Sequence, residues 1–399
     1  MSGREYPPLA QHWALDPTVI FLNHGSFGAA PRRVLAHRAR LQAQLERNPV
    51  DFFVHHLAAL QGDVQARLAA FLGAPPETVA PVANATAAVN AVLRSLTLEP
   101  NDEILVTNHE YNACRNAVDF VAARAGARVR VAALPFPLTG EEAIVAAVLA
   151  QAGRRTRLAL LDHVTSPTAC VLPIARLVAE LAARGIDTLV DGAHGPGMLP
   201  LDLPALGAAY YAGNCHKWLC APKSAGFLYV RPDRQAAIRP LAISHGANAP
   251  EDGSSRFQQE FAWTGTWDPT AWLSVGVAIE TLAEMLPGGW DELRQRNHAL
   301  ACEGRHIVCA ALECAPPLPD SLLGSMAAVV VEQGAQSVTP LLAPGEDPLE
   351  VALWERERIV VPVIRWPTPP MRLLRISAQL YNSRMQYEQL ARALRRLLR

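Results

Sequence analysis

Three consecutive stretches constrain the fold more than any other part of the chain. RLALLDHV (157–164) is an apolar run of strand length, LPIARLVAELAARG (172–185) carries apolar residues at helical spacing and ends in Gly185, and IDTLVD (186–191) is strand-like again. Strand, helix and strand in that order make a βαβ unit, which requires a mostly parallel sheet with helices on its faces. DEILVT (102–107) and ARVRVAAL (127–134) read as further strands. AAYYAG (208–213) and AGFLYVRP (225–232) alternate in a way that predicts strands at or near a sheet edge. From about Gly288 the texture changes to a long helical stretch reaching about Cys314, strand-like MAAVVVEQ, a loop through PGEDP, strands at RIVVPVI and MRLLRIS, and a closing helix in QYEQLARALRRLLR. A chain of 399 residues exceeds what one hydrophobic core usually supports. The expected organisation is an N-terminal arm (1–22) packing with the small domain, a large domain (23–287) and a small α+β domain (288–399).

Ligands of open α/β sheets bind outside the carboxyl ends of the strands, so the residues that follow strands come first. Asn108-His109-Glu110-Tyr111, the run from His163 to Thr168, and Asp191-Gly192-Ala193-His194-Gly195 hold these places. GAHGPG has the wrong glycine order for a dinucleotide fingerprint, and neither a P-loop nor a G-x-S-x-G nucleophile elbow occurs. Dinucleotide, ATP and α/β-hydrolase chemistry are thereby disfavoured.

The basic residues are unevenly written. Of 36, only Lys217 and Lys223 are lysine, and both fall in GNCHKWLCAPKSAG (213–226). An amine that must lose its proton and condense with a carbonyl cannot be replaced by arginine, because guanidinium stays charged. Lys217, flanked by His216 and Trp218, is the covalent candidate, whereas Lys223 after Ala-Pro reads as a turn residue.

A formal net charge of −1 offers no footprint for nucleic acid or an anionic membrane. No stretch reaches the roughly 18 uninterrupted apolar residues of a membrane span, so a soluble cytoplasmic protein is expected. The seven cysteines lack paired spacing, His55-His56 are adjacent and His109-Glu110 does not continue as H-E-x-x-H, so neither a disulfide framework nor a metal site is expected.

At FLNHGSFGAAP (21–31), NPVDFF (48–53), VANATAAVN (82–90), LVTNHEYNACRN (105–116), HVTSPTACVLPI (163–174), LVDGAHGPG (189–197), GNCHKWLCAPKSAGFLYV (213–230), WTGTWDP (263–269) and RISAQLYNS (375–383), the chain resembles the class V aminotransferase family of pyridoxal-phosphate enzymes, in its isopenicillin N epimerase-like branch. The resemblance implies the α/β fold type I of that superfamily: a large domain with a mostly parallel, seven-stranded mixed sheet flanked by helices, and a small α+β domain. It implies that Lys217 carries the cofactor as a Schiff base and removes the substrate Cα proton, and that Asp191 pairs with the pyridinium nitrogen. His194 then lies on the O3′ side of the ring, where Ser166 is a further candidate. Ala85 and Thr86, where VANAT runs into a helix, offer amides and a hydroxyl to the phosphate, joined by His216 and by Asn214, which stands where the family often has Ser or Thr. Tyr111 is the favoured group over the ring face, with His109 as the alternative after a register slip. Thr266 resembles the residue that reaches the phosphate of a neighbouring subunit, which implies a homodimer with shared sites.

In the same resemblance Arg375 anchors the substrate α-carboxylate and Asn23 is an additional substrate contact. Arg372, an odd number of residues from Arg375, is expected on the opposite sheet face and in solvent. Side-chain specificity falls to loops 48–56, 244–262 and 336–348, which contain Phe52, Phe53, His55, His245 and Arg256 among their residues.

The implied activity is epimerisation of an amino acid or amino-acid derivative, with a C–S β-lyase as the alternative and an aminotransferase behind it. A cysteine desulfurase is disfavoured because no cysteine follows Ala315 to supply the sulfur-accepting thiol. A non-catalytic regulator is disfavoured because about 20 residues before FLNHGSFG are too few for a helix-turn-helix domain.

Overall fold

A computed structural model describes residues 7–250, 253–332, 345, 347–367 and 371–398. In chain order its strands are β1 (Ile20–Phe21), β2 (Val79–Val82), β3 (Glu103–Thr107), β4 (Arg128–Ala132), β5 (Thr156–Asp162), β6 (Asp187–Gly192), β7 (Tyr210–Asn214), β8 (Gly226–Val230), β9 (Met326–Glu332), β10 (Ile359–Val360), β11 (Val363–Arg365) and β12 (Arg372–Ser377). Seven of them form one sheet in the order β2-β8-β7-β6-β5-β3-β4, in which β8 runs antiparallel to both neighbours and the other pairs are parallel.

Successive residues of the central strands feed two different cores, as a sheet covered on both faces requires. Leu158 and Leu160 of β5 join Ile104 and Val106 of β3 on one face, packed by Val89 and Val92 of helix Ala85–Ser95 and Val118 and Val121 of helix Asn112–Ala125. Ala159 and Leu161 of β5 join Leu105 on the other, against Ile174, Leu177, Val178 and Leu181 of helix Ile174–Ala182.

The expectation that β7 and β8 lie at or near a sheet edge holds in its looser form, since β8 is the neighbour of the edge strand β2 and β7 is third from that edge. Every residue of both strands is buried, β7 lies between β6 and β8, and the outer side of β8 is covered by β2. The alternation came from Tyr residues that are themselves core: Tyr211 is buried and stacks on Phe227 at 6.1 Å. The two edges are β2 and β4, and β4 exposes several side chains of RVRVA.

A second, three-stranded antiparallel sheet has the order β11-β12-β9. Helices Gly289–Leu312 and Arg384–Leu397 pack beside it, and the Tyr387 hydroxyl donates to Ser377 O of β12 at 2.8 Å. The N-terminal strand β1 pairs in parallel with β10, and Trp13 meets Tyr381 edge-on at 5.1 Å. Among the described residues no helix is long and apolar enough to cross a membrane.

Two glycines test how tightly the Lys217 segment is held. Gly28 has φ +69°, and a Cβ there would meet His216 O at 2.1 Å. Gly62 lies in helix Leu57–Phe71 with nothing within 4 Å of its would-be Cβ. Gly28→Ala is expected to destabilise the protein by about 1–3 kcal/mol. Gly62→Ala is expected to stabilise it by about 0.5–1 kcal/mol. Denaturant midpoints of the two variants would move in opposite directions.

Candidate active site

The carboxyl ends of β3, β5, β6 and β7 deliver the polar residues, because parallel strands all discharge their loops on one edge. Asp191 is the penultimate residue of β6 and His194 follows the strand; Asn214 ends β7 and Lys217 follows that. The Lys217 side chain keeps some solvent contact, while its amine is surrounded by protein and makes one side-chain hydrogen bond, with His194 Nε2 at 3.2 Å. Enclosure, seconded by the Arg375 charge and opposed by Asp191, draws the amine down to about 8.

The tautomer of His194 follows from its other partner. Trp218 Nε1–H donates to His194 Nδ1 at 3.2 Å, and an indole nitrogen can only donate. Burial and neighbouring positive groups hold His194 neutral, so its single proton sits on Nε2 and points at the Lys217 nitrogen. That contact is a hydrogen bond only when the amine presents a lone pair.

Asp191 is buried; its Oδ1 accepts from Ala193 N–H at 2.9 Å and its Oδ2 from the Cys114 thiol at 3.0 Å. Asn84 caps helix Ala85–Ser95, accepting from Ala87 N–H at 2.9 Å. The Ala85 amide, expected to be free, donates to Asn214 Oδ1 at 2.8 Å. Asn214 thus ties the helix to β7, and Thr86 remains with its amide at the helix N-terminus. His216 donates Nδ1–H to Ala225 O at 3.0 Å, and burial lowers it to about 4, so its Nε2 carries a lone pair.

Arg375 on β12 is buried and lowered to about 10 by that burial. It donates to Ser166 O at 2.6 Å, to Ser166 Oγ at 3.1 Å and to Ser26 Oγ at 3.0 Å. Ser26 in turn donates to Asn23 Oδ1 at 2.6 Å. Ser166 is therefore engaged by the arginine as an acceptor and keeps its O–H to donate, and Asn23 is linked to the arginine through Ser26. Both placements have one cause, a buried guanidinium that needs acceptors and takes those closest.

Tyr111 and His109 have different surroundings. His109 is buried, its Nδ1 bonded to Thr168 Oγ1 at 2.8 Å and its ring 4.3 Å from Trp366 and 6.1 Å from Phe136. Tyr111 is 42% exposed at the start of helix Asn112–Ala125. Burial of its hydroxyl and the nearby Cys114 and Asp191 raise its pKa, against the pull of Arg375. Thr266 lies exposed on the segment after helix Arg256–Ala262.

Other expectations change. Arg372 is not in solvent but pairs with the buried Asp347 at 2.9 Å. Lys223 donates to Gly28 O at 2.8 Å. Phe52 is core, Phe53 packs edge-on against Trp263 at 5.7 Å, and Arg256 is turned toward Glu260. Most of loop 336–348 lies outside the described residues. Four groups went unassigned in the sequence: His24, which bonds Tyr381 Oη at 2.7 Å and Lys217 O at 2.9 Å, together with Cys114, Glu110 and Asp162. Only His24 had a visible signal, its place in FLNHGSFG.

A seven-stranded, mostly parallel sheet with an amine and a carboxylate at its carboxyl edge defines the fold type I class of pyridoxal-phosphate enzymes. The family profile described as aminotransferase class-V matches residues 29–339, and the chain belongs to that family. It is 37% identical over 394 residues to isopenicillin N epimerase of Streptomyces clavuligerus, covering 95% of each chain. It is 31% identical over 418 residues to putative L-cysteine desulfhydrase 2 of Oryza sativa subsp. japonica, covering 96% of this chain and 85% of that one. Among solved structures, the complex between the cystine C–S lyase C-DES and its reaction product cysteine persulfide superposes with a TM-score of 0.79 at 22% identity, covering 94% of this chain and 97% of that chain.

The residues present suit the cofactor: an amine held toward neutrality for its aldehyde, a buried carboxylate for its ring nitrogen, and the Thr86 amide and hydroxyl at a helix N-terminus for its phosphate. Because only the neutral amine condenses with an aldehyde, the rate at which apoprotein takes up pyridoxal phosphate is expected to rise with pH and level off above about 8. Stopped-flow absorbance across pH 6–10 checks this, with a plateau near the ordinary lysine value of 10.5 as the contrary result.

Proposed function

We propose that this chain is an amino-acid epimerase of the isopenicillin N epimerase type, acting on an amino acid or amino-acid derivative. The observation that carries the Cα proton chemistry is the chain of donors from Trp218 Nε1–H to His194 and from His194 Nε2–H to the Lys217 amine. The choice of epimerisation is supported by the 37% identity to an isopenicillin N epimerase across 95% of both chains.

Lys217 would hold the cofactor's aldehyde carbon, Asp191 its ring nitrogen, Thr86 and His216 its phosphate, and Tyr111 its exposed ring face, with His194 near the ring oxygen. When bound, the cofactor supplies a sink for the electron pair left at Cα after proton removal. Arg375 would hold the substrate α-carboxylate, exchanging hydroxyl partners for a charged one. Held there, the Cα–H faces Lys217, whose amine takes the proton. Epimerisation returns a proton to the other face, so no atom is lost overall. Tyr111, with its hydroxyl pKa raised, is protonated at neutral pH and is the donor proposed for that face.

A division into residues 23–287 and 288–399 would keep the seven-stranded sheet in one unit and the three-stranded sheet in the other, and Arg375 of the second reaches Ser166 and Ser26 of the first. Exposure of Thr266 is consistent with a homodimer in which it reaches the partner's site. A C–S β-lyase is the second reading, supported by the 31% identity to a putative cysteine desulfhydrase; it needs Lys217 but no second proton-transfer group.

Incubating the holoenzyme in D2O with L-amino acids and cysteine S-conjugates, followed by NMR and chiral analysis, tests the two. Deuterated D-product with an intact side chain is expected; pyruvate with a released thiol would overturn epimerisation in favour of the lyase. Tyr111→Phe is expected to lower D-product formation by about 100-fold or more while Cα deuterium exchange of the L-isomer persists. Equal loss of both would remove Tyr111 from the second-face role.

A further inference from the structure

The floor of the site holds more acid than the proposed chemistry uses. Asp162 and Asp191 are register partners on the neighbouring parallel strands β5 and β6, so their side chains leave the same face of the sheet. Glu110 enters from the turn before helix Asn112–Ala125 and Cys114 from the first turn of that helix. A Glu110 carboxylate oxygen, Cys114 Sγ and an Asp191 carboxylate oxygen all lie within 4.8 Å of one another. Both Glu110 oxygens and Oδ2 of Asp162 are buried with no hydrogen-bond partner among the described residues.

Three buried carboxyl groups this close, with no cation bonded to any of them among the described residues, cannot all be charged, because each loses its hydration and repels the others. Arg115, a basic side chain in the first turn of the same helix, is turned to Asp119 at 2.9 Å. Lys217 lies on the cofactor side with its amine drawn toward neutrality. The donors available are unequal. Asp191 has two of its own, the Ala193 amide and the Cys114 thiol. Glu110 has no hydrogen-bond donor at bonding distance on either oxygen among the described residues, and nearby backbone amides, that of Tyr111 for Glu110 and those of Asp162 and Tyr111 for Asp162, offset the burial only in part.

We propose that Glu110 and Asp162 stand at neutral pH as uncharged acids and, with the Cys114 thiol, are positioning residues that confine the negative charge of this corner to Asp191. Desolvation and then the neighbouring acid charges push Glu110 and Asp162 well above the ordinary carboxyl range, and the same causes keep Cys114 a thiol. The group facing Asp191 thereby meets one localised charge instead of a diffuse one shared by three acids. The functional consequence rests on the reading of Asp191 as the ring-nitrogen partner; the protonation states do not.

Infrared difference spectroscopy of the apoprotein in the protonated-carboxyl stretch, with Glu110→Gln and Asp162→Asn, tests the proposal directly. Protonated-carboxyl bands are expected at pH 7, one lost in each variant, and in the wild type they should disappear only on titration well above the ordinary carboxyl range. Pyridoxal-phosphate affinity of both variants should stay within about threefold of wild type, since each replaces one uncharged group by another. Absence of the bands at pH 7, or a change in affinity beyond about tenfold in Glu110→Gln, would overturn it. Should a variant fail to fold, the wild-type titration decides alone. Asp191→Asn separates the underlying reading: unchanged cofactor affinity there would remove Asp191 from the ring nitrogen without touching the infrared result.

Discussion

The position of one proton organises the site. An amine enclosed by protein gives up its proton more readily where no counter-charge is bonded to it, and at Lys217 the bonded neighbour is a neutral imidazole rather than a carboxylate. Trp218 fixes which imidazole nitrogen carries the hydrogen, and the sheet fixes where the imidazole stands, because His194 and Lys217 follow the adjacent parallel strands β6 and β7. Asp191 lies close enough to raise the amine's pKa, yet enclosure and Arg375 act against it, and the net shift is downward. A salt bridge from Asp191 to Lys217 would have stabilised the charged, unreactive amine. The aspartate is instead bonded to the Ala193 amide and the Cys114 thiol.

How much of this the sequence made legible depends on the range of the interactions. The βαβ run from 157 to 191 carried its own evidence because each element is local and ends in a recognisable signal, and the strands it predicts are β5 and β6. Asp191 and Lys217 could be singled out because a strand end and a change from arginine to lysine are visible along the chain. Edge or centre for β7 and β8 was not, since that depends on β2, about 150 residues before β8, returning to cover β8. The same limit hid the partner of Ser166, which comes from β12, and the partner of Arg372, which comes from Asp347. Polar residues at strand ends announce that they are near a site; which neighbour claims them is decided by elements distant in sequence.

His109 and Tyr111 illustrate a finer failure. Two residues apart in one turn, both carry rings and both sit at the end of β3. Trp366 separates them, since its ring packs on His109 while its Nε1–H donates to Asn108 O at 3.2 Å. Once that turn is fixed from the second sheet, His109 belongs to a core cluster with Phe136, and Tyr111 is left at the head of its helix with solvent beside it. The aromatic identity was readable, whereas the side of the turn was set by a strand that begins at Val363.

Both lysines of the chain finally serve one segment. Lys217 brings the amine, and its own carbonyl accepts from His24 Nε2–H at 2.9 Å, while His24 Nδ1 accepts from the Tyr381 hydroxyl at 2.7 Å. Burial lowers His24 to about 3, so this relay stays neutral. Lys223 donates to Gly28 O at 2.8 Å, and Gly28 lies so near His216 and Lys217 that any side chain would strike their backbone. Lys223 does sit in a turn, and its charge also fastens the strip from His24 to Gly28 across the backbone of Lys217. An arginine could carry that charge, but the compact ammonium, with three donors on one atom, suits a single carbonyl beside a partly desolvated turn. The strip that fixes the reactive lysine's backbone also includes Ser26, a hydroxyl partner of Arg375, so the amine and the guanidinium are held by the same few residues. A displacement of that strip would move both together, which keeps the amine and the guanidinium in register.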